Sequence, residues 1–362
     1  MVGDRARASG RARPRQSDIA RAAGVSQTTV SLVLGGNKAG VVLAEETKRR
    51  VVEAADALGY VPDPIATRLA SARNDMLGLF TFSATFPTEV AHSYYPILVG
   101  VEEEAAALGQ DLILFTGSSG APPRAAGPAA LHRVRVADGC LFFGRHVPTE
   151  QVERLVEGGY PLVYIGRRDE LEGRLPYVGA DYVPASADVV RRLADLGHRR
   201  LRYVRENDDA PASTDRENGV LAGARAAGID LDGLVVRTDG SDIDARRVRA
   251  WRDEGVTALV TEETDTGAAL AALTGAIADA GLRCPEDLSL AMLGDPPAAG
   301  AASAHISGFT VPRREMGRRA VRLLTQLITN PPDQPPPPLQ QLVPCEPVVG
   351  STIGPAGRQG QQ

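Results

Sequence analysis

Residues 17–34 read SDIARAAGVSQTTVSLVL, and their spacing decides how the first part of the chain folds. Ile19, Ala20 and Ala23, then Val25, then Val30, Val33 and Leu34 form two helix-period apolar sets separated by Gly24. A glycine there takes the left-handed conformation that ends one helix, and Ser26 offers a side-chain oxygen to the free N–H groups that begin the next. The spacing therefore predicts two short helices crossing at a turn of about three residues, a helix-turn-helix. With Val30, Val33 and Leu34 inward, Gln27, Thr28, Ser31 and Leu32 fall on the open face. Gln27 and Thr28 stand at the N-terminal end, from which side chains reach base edges in a major groove; Ser26, Thr29 and Ser31 suit phosphate contacts.

Outward from this stretch, a third amphipathic helix is predicted over residues 45–58. Val51, Ala54, Ala55 and Leu58 share its apolar face, Glu45 and Glu46 favour its start, and Gly59 stops it. Upstream, Arg5, Arg7, Arg11, Arg13 and Arg15 make residues 1–15 a basic arm expected to be disordered. Residues 1–75 hold 12 Lys or Arg against 8 Asp or Glu, net +4; residues 76–362 hold 28 against 37, net −9. A basic head on an acidic body fits a head that meets a polyanion, and DNA is the obvious one.

The run DIARAAGVSQTTVSLVL, followed by EETKRRVVEAADALGYVPDPIATRLA, resembles the DNA-binding head of the lactose-repressor (LacI) family of bacterial transcription regulators over residues 16–70. On that resemblance, residues 16–61 form the DNA-binding domain and residues 62–75 a hinge. Pro62 and Pro64 break the preceding helix, and IATRLA at 65–70 is too short to be a stable helix alone. The resemblance implies that two such segments of a dimer pair as hinge helices in the minor groove. Leu69 would then wedge between central base pairs, and Ala66 would permit close approach of the helices. Two features depart from the family: Leu32 replaces a frequent arginine, and the loop GGNKAGVVLA is longer than usual. Leucine touches a thymine methyl but cannot make arginine's bidentate contact to guanine.

From Met76, short apolar runs (LGLFTF, LILFT, CLFFG, LVYIG) alternate with helical stretches, notably residues 95–108 closing at Gly109. A second alternation comprises RLRYV, GLVVR, ALVTE and LSLAML, with helices near 218–227, 244–254 and 267–280. Two parallel α/β lobes follow, each doubly wound. This body resembles the periplasmic sugar-binding-protein fold of the same family, with further marks at GVEEEAAALGQDLIL, ADYVPASADVVRRLADLGHRRL, Arg216 to Gly219 and MGRRAVRLLTQL. The family's three crossings between lobes place the first lobe at 76–180 plus 311–335, the second at 181–310 plus 336–354, and a tail at 355–362.

A small effector, of the sugar class by resemblance, is expected in the cleft at the strand C-terminal ends. Tyr94 and Tyr95 match an aromatic position that stacks on ligand rings in relatives; lobe packing is the alternative for them. Arg167 after LVYIG and Arg216 opening RENG are guanidinium candidates for hydroxyls or a carboxylate; a surface arginine is the alternative, and it fits Arg168 better than these two. Asp181 and Asp295 align with acidic positions of the family. TEET at 261–264, MLGD at 292–295 and YVREND at 203–208 depart from its usual patterns.

The 43% hydrophobic and 23% charged residues are those of a globular protein, and 38 of 40 basic residues are arginine, as GC-rich coding produces. No apolar run of about 18 residues and no secretory signal occurs, so a cytoplasmic protein without membrane contact is expected. Cys140, Cys284 and Cys345 suit neither a disulfide framework nor zinc, and no metal or cofactor is expected. No GxGxxG, GxxxxGK[ST] or HExxH pattern is present, and His198 in LGHRR reads as structural, so no catalytic residue is assigned and an enzyme is not expected. The nine residues after Ile353 are too few for a tetramerising heptad helix, which leaves a homodimer. The resulting expectation is a repressor that binds a pseudo-palindromic double-stranded operator under control of a small effector. The alternative is a sugar receptor without DNA function.

Overall fold

The 8-residue segments on either side of Gly24 form α1, Gln16–Ala23, and α2, Gln27–Leu34, and Gly24 between them has φ 64°. They pack with α3, Glu45–Leu58, around fully buried Ile19, Val30 and Val51. Leu58 departs from expectation: it is 40% exposed. The chain turns at Gly59, and Tyr60, whose N–H bonds back to the Ala55 carbonyl, packs against this small core instead.

The computed structural model describes residues 14–34, 41–60, 73–81, 94–115, 131–144, 147, 149–207, 209–264, 266–295, 306–329 and 335–357. The chain divides into two units, Met1–Asn74 and Asp75–Gln362. Ala66 and Leu69 of the expected hinge lie outside the described residues, as do residues 1–13 of the arm.

Among the described residues, the second unit contains two six-stranded sheets. The first joins β1 (Met76–Thr81), β2 (Asp111–Phe115), β3 (Gly139–Phe143), β4 (Leu162–Ile165), β5 (Tyr177–Asp181) and β11 (Gln340–Pro344) in the order β11-β5-β4-β3-β1-β2. The second joins β6 (Leu201–Glu206), β7 (Val235–Thr238), β8 (Ala258–Glu262), β9 (Ser289–Leu293), β10 (Ser307–Thr310) and β12 (Glu346–Val348) in the order β12-β10-β9-β8-β6-β7. Every pairing is parallel except β10 with β12. Continuous burial of β1, β3, β4, β8 and β9 reflects helices on both faces, which is why these strands read as unbroken apolar runs.

The helices are α4 (Tyr95–Ala107), α5 (Thr149–Glu157), α6 (Tyr182–Asp195), α7 (Pro211–Ala227), α8 (Ala245–Asp253), α9 (Ala268–Asp279) and α10 (Arg313–Thr329). α7 begins seven residues before the expected 218, because Pro211 occupies its first turn, where a missing N–H costs nothing. α4 and α10 approach backbone to backbone: a Cβ on Gly100 would lie 2.0 Å from the Arg314 carbonyl oxygen.

The chain passes between sheets after β5, after β10 and after β11. The last crossing differs from expectation. Residues 340–344 pair with β5 in the first sheet, in register Gln340 with Tyr177 through Pro344 with Asp181, so residues 336–354 do not all belong to the second lobe and the chain crosses at Cys345. β11 is a mostly exposed edge strand, and its short pattern carries no sign of which sheet it joins.

Candidate functional site

On α2, Ser26 Oγ accepts the Thr29 N–H at 3.1 Å and lies 2.8 Å from Thr29 Oγ1. The two hydroxyls thus cap the helix that presents the residues after them. Gln27, Thr28 and Ser31 are exposed, Thr29 and Leu32 half-buried, and Val30 between them is fully buried and anchors the helix. On α3, Lys48 pairs with Glu45 and Arg49 with both Glu46 and Glu53, so these cations are matched within their own helix.

In the second unit, the C-terminal ends of strands from both sheets surround a cavity of about 180 Å³. The first lobe contributes Gly144 after β3 and Ile165 to Arg168 at the end of β4; Tyr94 and Ile97 come from the start of α4. The second contributes Ser213 and Arg216 of α7 and Glu263 and Thr264 after β8, and Arg313 and Met316 come from α10. Of the residues expected in a cleft, Tyr94, Arg167 and Arg216 line this cavity. Tyr94 also packs on Phe143, ring centroids 5.2 Å apart, so it lines the cavity and packs within the lobe at once. Tyr95 is 53% exposed and does not line it. Asp181 ends β5 between two lining residues, Ala180 and Tyr182, without lining the cavity itself, and burial pushes its carboxyl above the ordinary Asp value. Asp295 stands outside the lining too: it accepts from Arg313 Nη1, Thr310 Oγ1 and the Val311 N–H.

Arg168 is not a surface arginine. It is 8% exposed, its guanidinium carbon lies 4.3 Å from the Tyr164 ring centroid, and Nη2 donates to the Gly144 carbonyl and to the Tyr164 hydroxyl. Arg216 is 4% exposed and stacks 4.1 Å from the Tyr182 ring centroid. Arg167 Nε donates to Asp215 and Nη1 to Asp169, and Arg313 Nη2 donates to both Glu263 oxygens at 2.6 Å. Sequence reading missed Tyr182, Glu263 and Arg313, which only the folding of three distant segments brings to one wall.

The unusual segments YVREND and TEET explain one another. β6 and β8 are neighbours, Tyr203 opposite Val260. Tyr203 donates its hydroxyl to Glu262 at 2.7 Å, fully buried Arg205 lies 3.7 Å from Glu262 and donates to Glu217 at 2.6 Å, and Glu206 accepts from Thr264 and Thr266 at 2.6 Å each. The departures form one linked set of contacts, although Thr261 Oγ1 and Glu262 Oε1 stay buried without a hydrogen-bond partner. His198 is bonded by Thr257 at 2.8 Å and donates to the Gly354 carbonyl at 3.0 Å, pinning the C-terminal stretch. Among the described residues no cluster of three or more His, Cys, Asp or Glu could hold a metal, and no helix is long and apolar enough to cross a membrane.

Residues 17–63 match the profile of the bacterial regulatory proteins of the lacI family, and residues 190–353 that of the periplasmic binding protein-like domain. The chain is 30% identical over 326 residues to the HTH-type transcriptional regulator CelR of Thermobifida fusca, across 88% of this chain and 93% of that one. It is 27% identical over 324 residues to catabolite control protein A of Priestia megaterium, across 86% and 92%. A solved CelR–cellobiose complex superposes with a TM-score of 0.62 at 26% identity, over 94% of this chain and 100% of the other. The fold also matches the lac repressor dimer bound to operator and an anti-inducer, with a TM-score of 0.68 at 20% identity over 94% and 99%. The capped, open-faced α2, the two doubly wound lobes and these likenesses agree: the chain belongs to the LacI family of bacterial transcription regulators.

Proposed function

We propose that this chain is a cytoplasmic homodimeric repressor, without catalytic activity, whose grip on a pseudo-palindromic operator is set by a small metabolite in the cleft. The cellobiose of the CelR complex favours a ligand of the sugar class. Gln27, Thr28 and Leu32 read bases, Ser31 and the Ser26–Thr29 pair meet phosphates, and Leu69 with Ala66 forms the minor-groove hinge. Tyr94, Arg167 and Arg216 contact the ligand.

The observation that carries effector control is the Arg167–Asp215 ion pair, which joins the first lobe to the second at the edge of the cavity. A ligand that binds one lobe arrangement better than another shifts the population of that arrangement; about 5.5 kcal/mol of differential affinity turns a 1:99 balance into 99:1.

The test begins with selection of bound sequences from a random duplex pool at a stated, physiological salt concentration. A pseudo-palindromic motif with a flexible central step supports the reading, and release of that operator by fractions of a metabolite pool supports effector control. Sequence-blind binding refutes the operator assignment; an operator indifferent to every fraction refutes the effector.

A further inference from the structure

The cleft wall contains an anion cradle that is filled from within. Glu263 Oε2 accepts from Arg313 Nη2 at 2.6 Å and from the Asp295 N–H at 3.2 Å, and stands 3.9 Å from Arg216 Nη2. Gly294 keeps this space open: a Cβ there would lie 2.7 Å from Glu263 Oε2 and 3.3 Å from Arg216 Nη2. The Glu263 carboxylate therefore lies between two guanidinium groups, bonded to one and out of bonding range of the other.

Arg216 is the unsatisfied member. It is buried, its Nε has no hydrogen-bond partner, and no hydrogen bond to its guanidinium is present among the described residues. A buried cation without acceptors is costly, and this one lines the cavity together with Arg167, Arg168 and Arg313.

The carboxylates nearby are committed. Asp215 is held by Arg167, and Asp295 and Glu263 by Arg313. A neutral polyol asks for acceptors that these groups no longer offer freely, whereas an anion supplies the acceptors that Arg216 lacks. Resting on the reading of the cleft as an effector site, we propose that its ligand carries a carboxylate or phosphate group, whose oxygens replace Glu263 between Arg313 and Arg216. Two guanidinium forks facing one group match such planar or tetrahedral oxyanions.

One substitution separates the chemistries by sign. Glu263→Gln removes the internal anion while Asp295 still holds Arg313, so an anionic ligand gains affinity; a neutral sugar has no charge to exchange for that anion and binds no more tightly. The experiment is calorimetric titration of the full chain at fixed ionic strength with four probes: D-glucose, D-glucuronate, D-glucose 6-phosphate and inorganic phosphate.

Binding of glucuronate identifies a carboxylate ligand, and binding of glucose 6-phosphate or inorganic phosphate a phosphate one. We expect an anionic probe to bind, to bind about tenfold more tightly to Glu263→Gln, and to be lost with Arg216→Gln. Glucose binding as tightly as the anions, or anion binding weakened by Glu263→Gln, overturns the proposal and leaves effector control standing. Failure of all three anions also overturns it, and effector control is then judged separately by operator release from the metabolite fractions.

Discussion

Arg167, on the turn after β4, donates through Nε to Asp215 near the start of α7, so one guanidinium of the first lobe holds a carboxylate of the second. Both side chains are largely buried, at 20% and 9% exposure. Burial pushes the Asp215 carboxyl above its ordinary value against the pull of Arg167. A pair in this setting holds the lobes in one arrangement more than it adds net stability, because desolvation offsets much of the attraction.

The coupling is measurable. Arg167→Gln, Asp215→Asn and the double variant should form a cycle with an interaction energy of about 1–3 kcal/mol in urea unfolding. Additive single effects would mean that the pair does not join the lobes.

On the proposed reading face, Gln27→Ala should cost about 1–3 kcal/mol at one base pair and relax preference there. Leu69→Ala, in the proposed hinge segment, should weaken the selected operator more than random duplex, as loss of the proposed wedge requires. Competition binding of operator variants at constant salt checks both, and unchanged base preference in the first variant removes Gln27 from the reading face.

Packing between helices gives a contrast of sign. Gly100→Ala places a methyl 2.0 Å from the Arg314 carbonyl and must push α4 from α10, at about 1–3 kcal/mol of destabilisation. Gly275→Ala, at an exposed position of α9 with nothing within 4 Å of the new Cβ, should stabilise by about 0.5–1 kcal/mol. Urea midpoints of the two variants moving in the same direction would contradict the close contact.

Acid dependence should follow His198. Burial, supported by the nearby charge of Arg199, lowers its pKa from the ordinary 6.5 against the upward pull of the Gly354 carbonyl. Above about pH 6.5 both folded and unfolded states carry it uncharged; as pH falls below that, the unfolded chain takes the proton first and stability declines, by at most about 1.4 kcal/mol per unit. His198→Gln should flatten this part of the pH profile measured by thermal unfolding.

The head was the most legible part. Each feature of residues 17–34 is local: Gly24 ends a helix, Ser26 caps the next, and Val30 recurs at the spacing of one face. Leu58 broke the pattern because which residue covers the end of α3 depends on the turn at Gly59 and on Tyr60, not on periodicity. In the body, strands buried on both faces announced themselves as apolar runs, whereas β5, β10, β11 and β12, at 3–5 residues each, did not.

Residue order alone set the capped turn and the alternation of strands and helices, because each rests on contacts a few residues apart. The tertiary structure alone decided that β11 belongs to the first sheet, that Arg168 is buried against Tyr164, and that Glu263, Arg313 and Arg216 share one cradle. β11 and β5 are 163 positions apart and the cradle residues up to 97, and a charge reads the same in a sequence whether it meets water or another charge, as Arg168, four residues from Tyr164, shows; the crossings of the chain between the lobes bring the distant groups together.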